Sequence, residues 1–502
     1  MIGISKSRRD WVYRAGSALA LALIGTAVFA ISDTDFQGQI NYDFRPPGAR
    51  SLAMAGAFTS IADDSTTALF NPAGLTQLKR PEFALAGKVW TDNTHLDWGS
   101  GTYALALDPI GGQPVAGTQT EISRQERDFN STKAGPAFMS YVQPFKHATF
   151  SIYGAQVMNY ENSFQRDEIQ TGIQYFHICA GFSGSFNCST ANFYSFAGFN
   201  TALTRAQGKI NLYRYGVSGA FQIGKRLSLG LTAFYGKLKY HTASQRYATA
   251  SVVSDRFNIL NIYEDSEESR PGFGGGVLYR GDKIHWGLSY QRGERFSIQV
   301  SPFIPRRTDG VNDCAEFQAA YLRCPFSTDL KIPDRITAGI SMQPNPFITL
   351  SADLEGIRWS QMASKVDAIQ PTQYENRYEI KDAYNPHLGA EYVLLADTSP
   401  LAVRAGIWWE HGHNLKYTGS NQDVHNVLIS ILDDGFGNSL LVEDVKGGDA
   451  TTNSRRLLFP GGGSQQHYTA GIGFVVGKIQ FDAGYDYAKW TRQFVLSSVV
   501  RF

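Results

Sequence analysis

From Lys478 the chain alternates with a period of two. Ile479, Phe481, Ala483, Tyr485 and Tyr487 fall on one face, and Lys478, Gln480, Asp482, Gly484 and Asp486 on the other. The same pattern recurs after Phe347, where Ile348, Leu350, Ala352 and Leu354 oppose Thr349, Ser351, Asp353 and Glu355. It returns in Leu401, Val403, Ala405, Ile407 and Trp409, with Arg404 on the opposite face, and in Tyr468, Ala470, Ile472, Phe474 and Val476. Successive side chains of a strand point to opposite faces, so this alternation predicts half-apolar β-strands of about ten residues each. A soluble sandwich and a transmembrane barrel both carry such strands. The connections separate them.

Short polar turns recur at 143–147, 223–226, 280–283, 343–346, 395–400 and Gly477. Between these hairpins lie long stretches, roughly 92–134, 160–208, 240–271, 292–330, 360–384 and 411–465. Strict alternation of short and long connections is the signature of an outer-membrane barrel, with tight turns in the periplasm and long loops outside. Six turns give twelve strands, and a strand before (about 82–91) and after (about 493–502) makes fourteen. The fold class expected is all-β: a 14-stranded antiparallel transmembrane barrel over residues 82–502. Tyr141, Tyr290, Trp359 and Trp408 lie near strand ends and are expected in its interfacial aromatic girdles. The chain ends on alternating Phe494 to Phe502, as outer-membrane barrels commonly do.

One segment does not alternate. Residues 31–81 are rich in Ala, Gly and Ser and read as short helical pieces. Asp63 and Asp64 are placed to cap a helix, and Asn71, held out of the α region by Pro72, ends it. A fourteen-strand barrel has a lumen too wide for its own side chains to fill. This segment is therefore expected to plug it. Ahead of it, residues 1–30 carry Lys6, Arg8, Arg9 and Arg14, then the apolar run Ala15 to Phe29, then Ala30. That is the form of a secretory signal peptide. Its removal takes four basic residues and one acidic, so the formal charge goes from +1 to +1 − 4 + 1 = −2. A near-neutral chain gives no reason to expect a nucleic-acid partner. Four cysteines, Cys179 with Cys188 and Cys314 with Cys324, fall in predicted outer loops. Two local disulfides are the simplest arrangement in an oxidising compartment, though four cysteines allow three pairings.

The run Gly48 to Leu75, "GARSLAMAGAFTSIADDSTTALFNPAGL", resembles the N-terminal hatch of the long-chain fatty acid transporter family, which includes the toluene-type hydrocarbon channels. The shared features are small residues, the Ala62-Asp63-Asp64 step and Asn71-Pro72-Ala73. Ile332–Ser360 and the last hairpins are similar to that family too. The resemblance implies localisation in the bacterial outer membrane and inward passage of fatty acids or hydrocarbons. It implies an apolar lumen pocket, a gating hatch and a lateral exit at a kink in the third strand, here about 148–160. Gly154, mid-strand, is the kink candidate. Asn71, Pro72, Ala73, Phe58, Leu69 and Phe70 are the hatch residues expected to gate or touch substrate.

Other chemistry is thin. His411 and His413 in "WWEHGHN" share a strand face, but no further metal ligand is identifiable. Gly272–Gly281 is glycine-rich without a following helix, so it does not fit a dinucleotide site. No Gly-x-Ser-x-Gly elbow occurs. We therefore expect no catalytic residue, cofactor or metal, and a monomer in contact with outer-membrane lipid. The rival readings are a non-transporting export or assembly partner and a barrel lipid hydrolase.

Overall fold

The structure, a computed structural model, describes residues 44–97, 101–104, 119–122, 126–166, 176–182, 185–186, 199–250, 256–303, 326–363, 378–394, 400–414, 416–418, 428–433, 439–444 and 461–502. The expected signal peptide, most of turn 395–400, Cys188, Cys314, Cys324 and the side chain of Cys179 lie outside the described residues.

Fourteen antiparallel strands close on themselves. They are β1 (Glu82–Asp97), β2 (Glu126–Pro144), β3 (Ala148–Arg166), β4 (Phe199–Ile223), β5 (Leu227–Ala250) and β6 (Arg256–Arg280). Strand β7 runs in two pieces, Ile284–Arg292 and Arg295–Phe303, and β8 likewise, Phe326–Lys331 and Arg335–Asn345. Then come β9 (Ile348–Ile357), β10 (Ala383–Leu394), β11 (Leu401–Glu410), β12 (Gln465–Val476), β13 (Ile479–Tyr487) and β14 (Thr491–Arg501). Each pairs with its sequence neighbour, and β14 returns to β1 with Arg501 opposite Glu82. Closure leaves no sheet edge to face lipid.

The alternation sets the two faces. Leu350 and Leu354 on β9 point out, while Ser351, Asp353 and Glu355 are buried inside. Outward residues Leu231, Phe273, Ile340, Ile472 and Leu496 belong to a continuous apolar band. Such a band on a closed barrel makes this a membrane-spanning barrel of the outer-membrane kind. Tyr141 and Tyr290 face outward, as girdle residues do. Trp359 and Trp408 do not: they are 2% and 6% exposed and face the lumen. Strand parity explains Trp408, which shares a face with the inward Arg404.

Strands β4, β5 and β6 are longer than expected, and much of the stretches read as loops at 160–208 and 240–271 is strand. The run of outward apolar positions breaks after Tyr235 and Phe273, and Tyr263 is a single exposed aromatic further along β6. Beyond them β5 and β6 carry outward Lys237, Lys239 and Glu267, paired at 3.2 and 3.3 Å. The ladder continues into water, where it no longer needs an apolar face.

Residues 44–81 lie inside the barrel as two short helices, α1 (Ala49–Ala53) and α2 (Thr67–Phe70), and a 3₁₀ turn, Pro72–Gln77. Helix α1 packs on β12, β13 and β14, and the 3₁₀ turn on β4, β5 and β6. Inward glycines of the wall permit this approach. A Cβ at Gly484 would strike the carbonyl of Ala49, and one at Gly230 or Gly276 would strike Pro72–Ala73 or Asn71.

Leu231, 69% exposed, lies midway between the outward ends Leu227 and Tyr235 of the β5 apolar face. Leu231→Arg is expected to destabilise the barrel by about 2–4 kcal/mol in urea-titrated folding into vesicles, the cost of an arginine near the bilayer midplane. Its inward neighbour Thr232 should not show that lipid penalty when replaced by serine.

Candidate functional site: hatch, lumen and an unzipped seam

The hatch is tied to the wall by buried polar bonds. Arg50 of α1 grips Glu391 on β10 with two bonds of 2.9 Å and also pairs with Asp63. Glu391 is shared with Arg404 at 2.6 Å, which holds Asp482 at 2.7 Å. This chain of alternating charge crosses from the hatch to three wall strands. Asp353 accepts the backbone N–H groups of Phe58 and Thr59 at 3.0 and 2.8 Å. His387 Nδ1 donates to the carbonyl of Ala55 at 2.7 Å. Ala55 has φ 57°, a left-handed conformation unusual for alanine. The wall residue bonded to its carbonyl helps to hold it there.

Asn71 occupies the centre of this net. Its φ of −137° ends α2, and its side-chain oxygen caps Ala73 N–H at 3.3 Å. Its amide donates to Thr59 O at 2.7 Å within the hatch and to Val277 O at 3.3 Å on β6. Pro72 and Ala73 are buried beside it. The expected capping by the two aspartates takes another form. Asp64 accepts from Thr66 N–H and hydroxyl, one residue before α2, and Asp63 is taken by Arg50.

Phe58 packs with Met54 and Ile61 under the Arg50 guanidinium. Leu69 joins the main hatch–wall core, and the Arg335 guanidinium lies 5.3 Å from the Phe70 ring centre. Phe58 and Phe70, but not Leu69, line a cavity of about 60 Å³ against Arg335, Glu355, His387, Trp408 and Glu410. Trp408 stacks between His387 and His467, at 5.1 and 3.7 Å between ring centres. This space is small and mixed: Phe44, Leu52, Ile357 and Trp359 share its lining with the charged groups. Through Phe44, Ile357 and Trp359 it adjoins a packed apolar cluster, which includes Val157, Met158 and Tyr160 of β3, Leu212 of β4, Leu238 of β5 and Phe296 of β7.

Beside that cluster the wall is unzipped. Strands β2 and β3 pair only from Phe138 to Pro144 against Ala155 to Thr149. Beyond Phe138 they form no ladder pair among the described residues. Both strands lose register there: β2 at Ala137, next to Pro136, and β3 at Val157. Proline has no N–H to give a ladder, and a bulge bends its strand. Side chains take up acceptors that the seam exposes. Lys88 Nζ reaches the carbonyl of Gln156 at 3.4 Å, and Ser131 Oγ that of Glu161. Lys133 and Glu161 bridge the seam at 3.1 Å. Gly154 lies just inside the paired part, in register with Met139 and Tyr215, three residues before the bulge.

Closed fourteen-strand wall, internal N-terminal segment and seam can now be set beside solved structures. The chain matches a Pseudomonas aeruginosa FadL homologue at 14% identity and TM-score 0.54, over 92% of this chain and 99% of that one. The chain has the fold of a FadL-type barrel. The Ralstonia pickettii toluene transporter TbuX aligns at 14% identity and TM-score 0.44, over 91% and 99% of the two chains. The monoaromatic hydrocarbon channel CymD aligns at 12% and 0.47, over 92% and 99%. These two scores are too low to bear on the argument. No protein-family model matches the chain, and no curated protein does. Among the described residues no group of three or more metal-ligating side chains occurs, and His411 and His413 gather none.

Two tests follow from the hatch net. Arg404→Met leaves Asp482 buried without a cation, while Glu391 keeps Arg50, and is expected to cost about 3–5 kcal/mol in denaturant unfolding. Arg50→Met leaves Glu391 paired with Arg404 and is expected to cost about 1–3 kcal/mol. Burial, partly offset by Arg50 and Thr66, pushes the Asp64 carboxyl up to about 6. Above that pH the closed hatch carries a buried charge. As pH falls from 7 to 5 the closed form takes up a proton that a released segment, with a carboxyl near 3.9, does not. Hydrogen exchange in residues 58–74, corrected for intrinsic rate, should therefore show the hatch more protected at pH 5 by roughly 1 kcal/mol. Asp64→Asn should flatten this.

Proposed function

We propose that this protein is an outer-membrane channel for hydrophobic compounds, with the hatch, residues 44–81 of an N-terminal unit spanning 31–81, as its gate. The observation that carries the reading is the seam between β2 and β3, opening beside the aliphatic cluster of the lumen. An ordinary barrel wall gains by completing its ladder, because unpaired backbone groups in a membrane are costly. Here two adjacent strands are bulged at the same level, and two of their acceptors, the carbonyls of Gln156 and Glu161, are met by Lys88 and Ser131 instead. An apolar solute entering from outside replaces the contacts of Val157, Met158 and Tyr160 with its own and leaves sideways into the bilayer. It need never cross the charged cavity beneath, where desolvation of Arg335, Glu355 and His387 would oppose it.

In this reading the hatch closes the periplasmic half, and Asn71, Pro72 and Ala73 pin it to β6. Phe58 and Phe70 border the charged cavity and Leu69 packs the hatch core. Gly154, opposite Met139, lies one pair before the last regular pair, Phe138–Ala155, below the exit. The FadL-type fold supports the reading, since that homologue's name is that of a transport family; it does not choose between fatty acids and hydrocarbons.

Uptake of radiolabelled oleate and toluene by cells lacking their own channel tests this directly. Gly135 faces Gln156 across the seam, where a Cβ would sit 3.2 Å from its side-chain oxygen. The wild-type protein is expected to raise uptake of at least one solute, and Gly135→Trp to lower that uptake about tenfold while the barrel still folds. No uptake of either by a correctly inserted wild-type barrel would overturn the proposal.

A further inference from the structure

The apolar cluster of the outer lumen ends at a carboxylate. Glu264 on β6 is fully buried and faces inward, directly across from Thr242 on β5 and Val300 on β7. Tyr240 and Thr242 each donate a hydroxyl hydrogen bond of 2.8 Å to its Oε2. Its Oε1 is sealed from solvent and has no hydrogen-bond partner. Among the described residues no cation pairs with it. Its other near neighbours along this face are neutral: Ser244 on β5, Ser266 on its own strand and Ile298 on β7. Outward Asp265 and Glu267 put this level beyond the apolar band, and burial pushes the Glu264 carboxyl up, against the two hydroxyls.

Half of a buried carboxyl is therefore solvated by protein and half is not. Buried polar atoms are almost always paired, and an exception calls for a reason. A leucine in this place would continue the cluster without that penalty. We propose that Glu264 is a ligand-binding residue whose free oxygen takes the hydroxyl of a neutral, mostly apolar solute, with the solute's hydrocarbon body against Ile298 and Phe296. The inference rests on the channel reading and narrows its substrate class. A hydroxyl can both donate and accept, so it satisfies this oxygen whether or not the carboxyl carries a proton. A carboxylate solute presents only acceptors, and no cation stands by to hold it. A plain hydrocarbon packs as well but leaves Oε1 bare. Because Oε1 is sealed in this structure, a solute reaches it by displacing the aliphatic side chains around it, whose contacts its own carbons replace.

Three probes of one shape separate these cases: p-cresol, toluene and p-toluate. Equilibrium dialysis against the full chain in lipid nanodiscs, with empty nanodiscs subtracted, gives each affinity. The wild-type protein is expected to hold p-cresol about tenfold tighter than toluene, the factor one charge-assisted hydrogen bond supplies, and p-toluate weakest. Glu264→Leu should bring p-cresol down to toluene and leave toluene unchanged. Glu264→Gln, nearly isosteric, should keep p-cresol and improve p-toluate, and it guards against a leucine variant that does not fold. Equal binding of p-cresol and toluene by the wild type, or p-cresol binding untouched by Glu264→Leu in a folded barrel, would overturn this inference and leave the channel reading standing. Binding of none of the three would overturn this inference and also count against that reading.

Discussion

Backbone amides cannot be left unpaired in hydrocarbon, and most of this structure follows from that constraint. It closes fourteen strands into a ring, with β14 paired to β1. It lets the inner face be polar, because the ladders already satisfy the backbone and the side chains need only satisfy each other. It also makes the seam between β2 and β3 informative. Where the ladder stops, Lys88 and Ser131 cover carbonyls that the ladder would otherwise have taken. The departure is compensated at those two carbonyls.

The second constraint is the width of the ring. A lumen of this size must be filled, and the filling is layered. The hatch takes the periplasmic half, bonded to the wall through Arg50, Asn71 and the backbone of Phe58 and Thr59. Against the hatch lies a charged and aromatic layer around Trp408. A cluster of aliphatic and aromatic side chains then borders the seam, and it ends at Glu264. The polar layers favour a fixed hatch, since each bond is buried and specific. The aliphatic layer has no such specificity, and dispersion contacts with a solute can replace those among its own side chains.

Much of this was legible in the sequence. Alternation gave the strands, turn spacing gave their number, and the small-residue segment with its Asn71-Pro72 stop gave the hatch. Parity also places Trp408 in the lumen beside Arg404, against its position near a strand end. Other features lacked a local signal. Arg50 and Glu391 meet across 341 residues of sequence, and nothing near either names the other. The seam needs two irregularities at one level on neighbouring strands; Pro136 hints at one, but Val157 is an ordinary strand residue. The length of β4 to β6 was hidden because strands in water keep their ladder and lose their apolar face. Glu264 sits in such a stretch, and only its burial sets it apart from the acidic residues around it.

The central claim is the route: through the aliphatic layer and out at the seam, not down past the hatch. Photo-crosslinking tests it most directly. A diazirine-bearing hydrocarbon would be added from the outside to intact cells carrying the protein, and labelled residues mapped by mass spectrometry. The account predicts labels on Phe129, Val157, Met158 and the seam-flanking residues near Gly135, and none on hatch residues 51–70. Labels concentrated on the hatch and the charged cavity, with the seam clean, would contradict it.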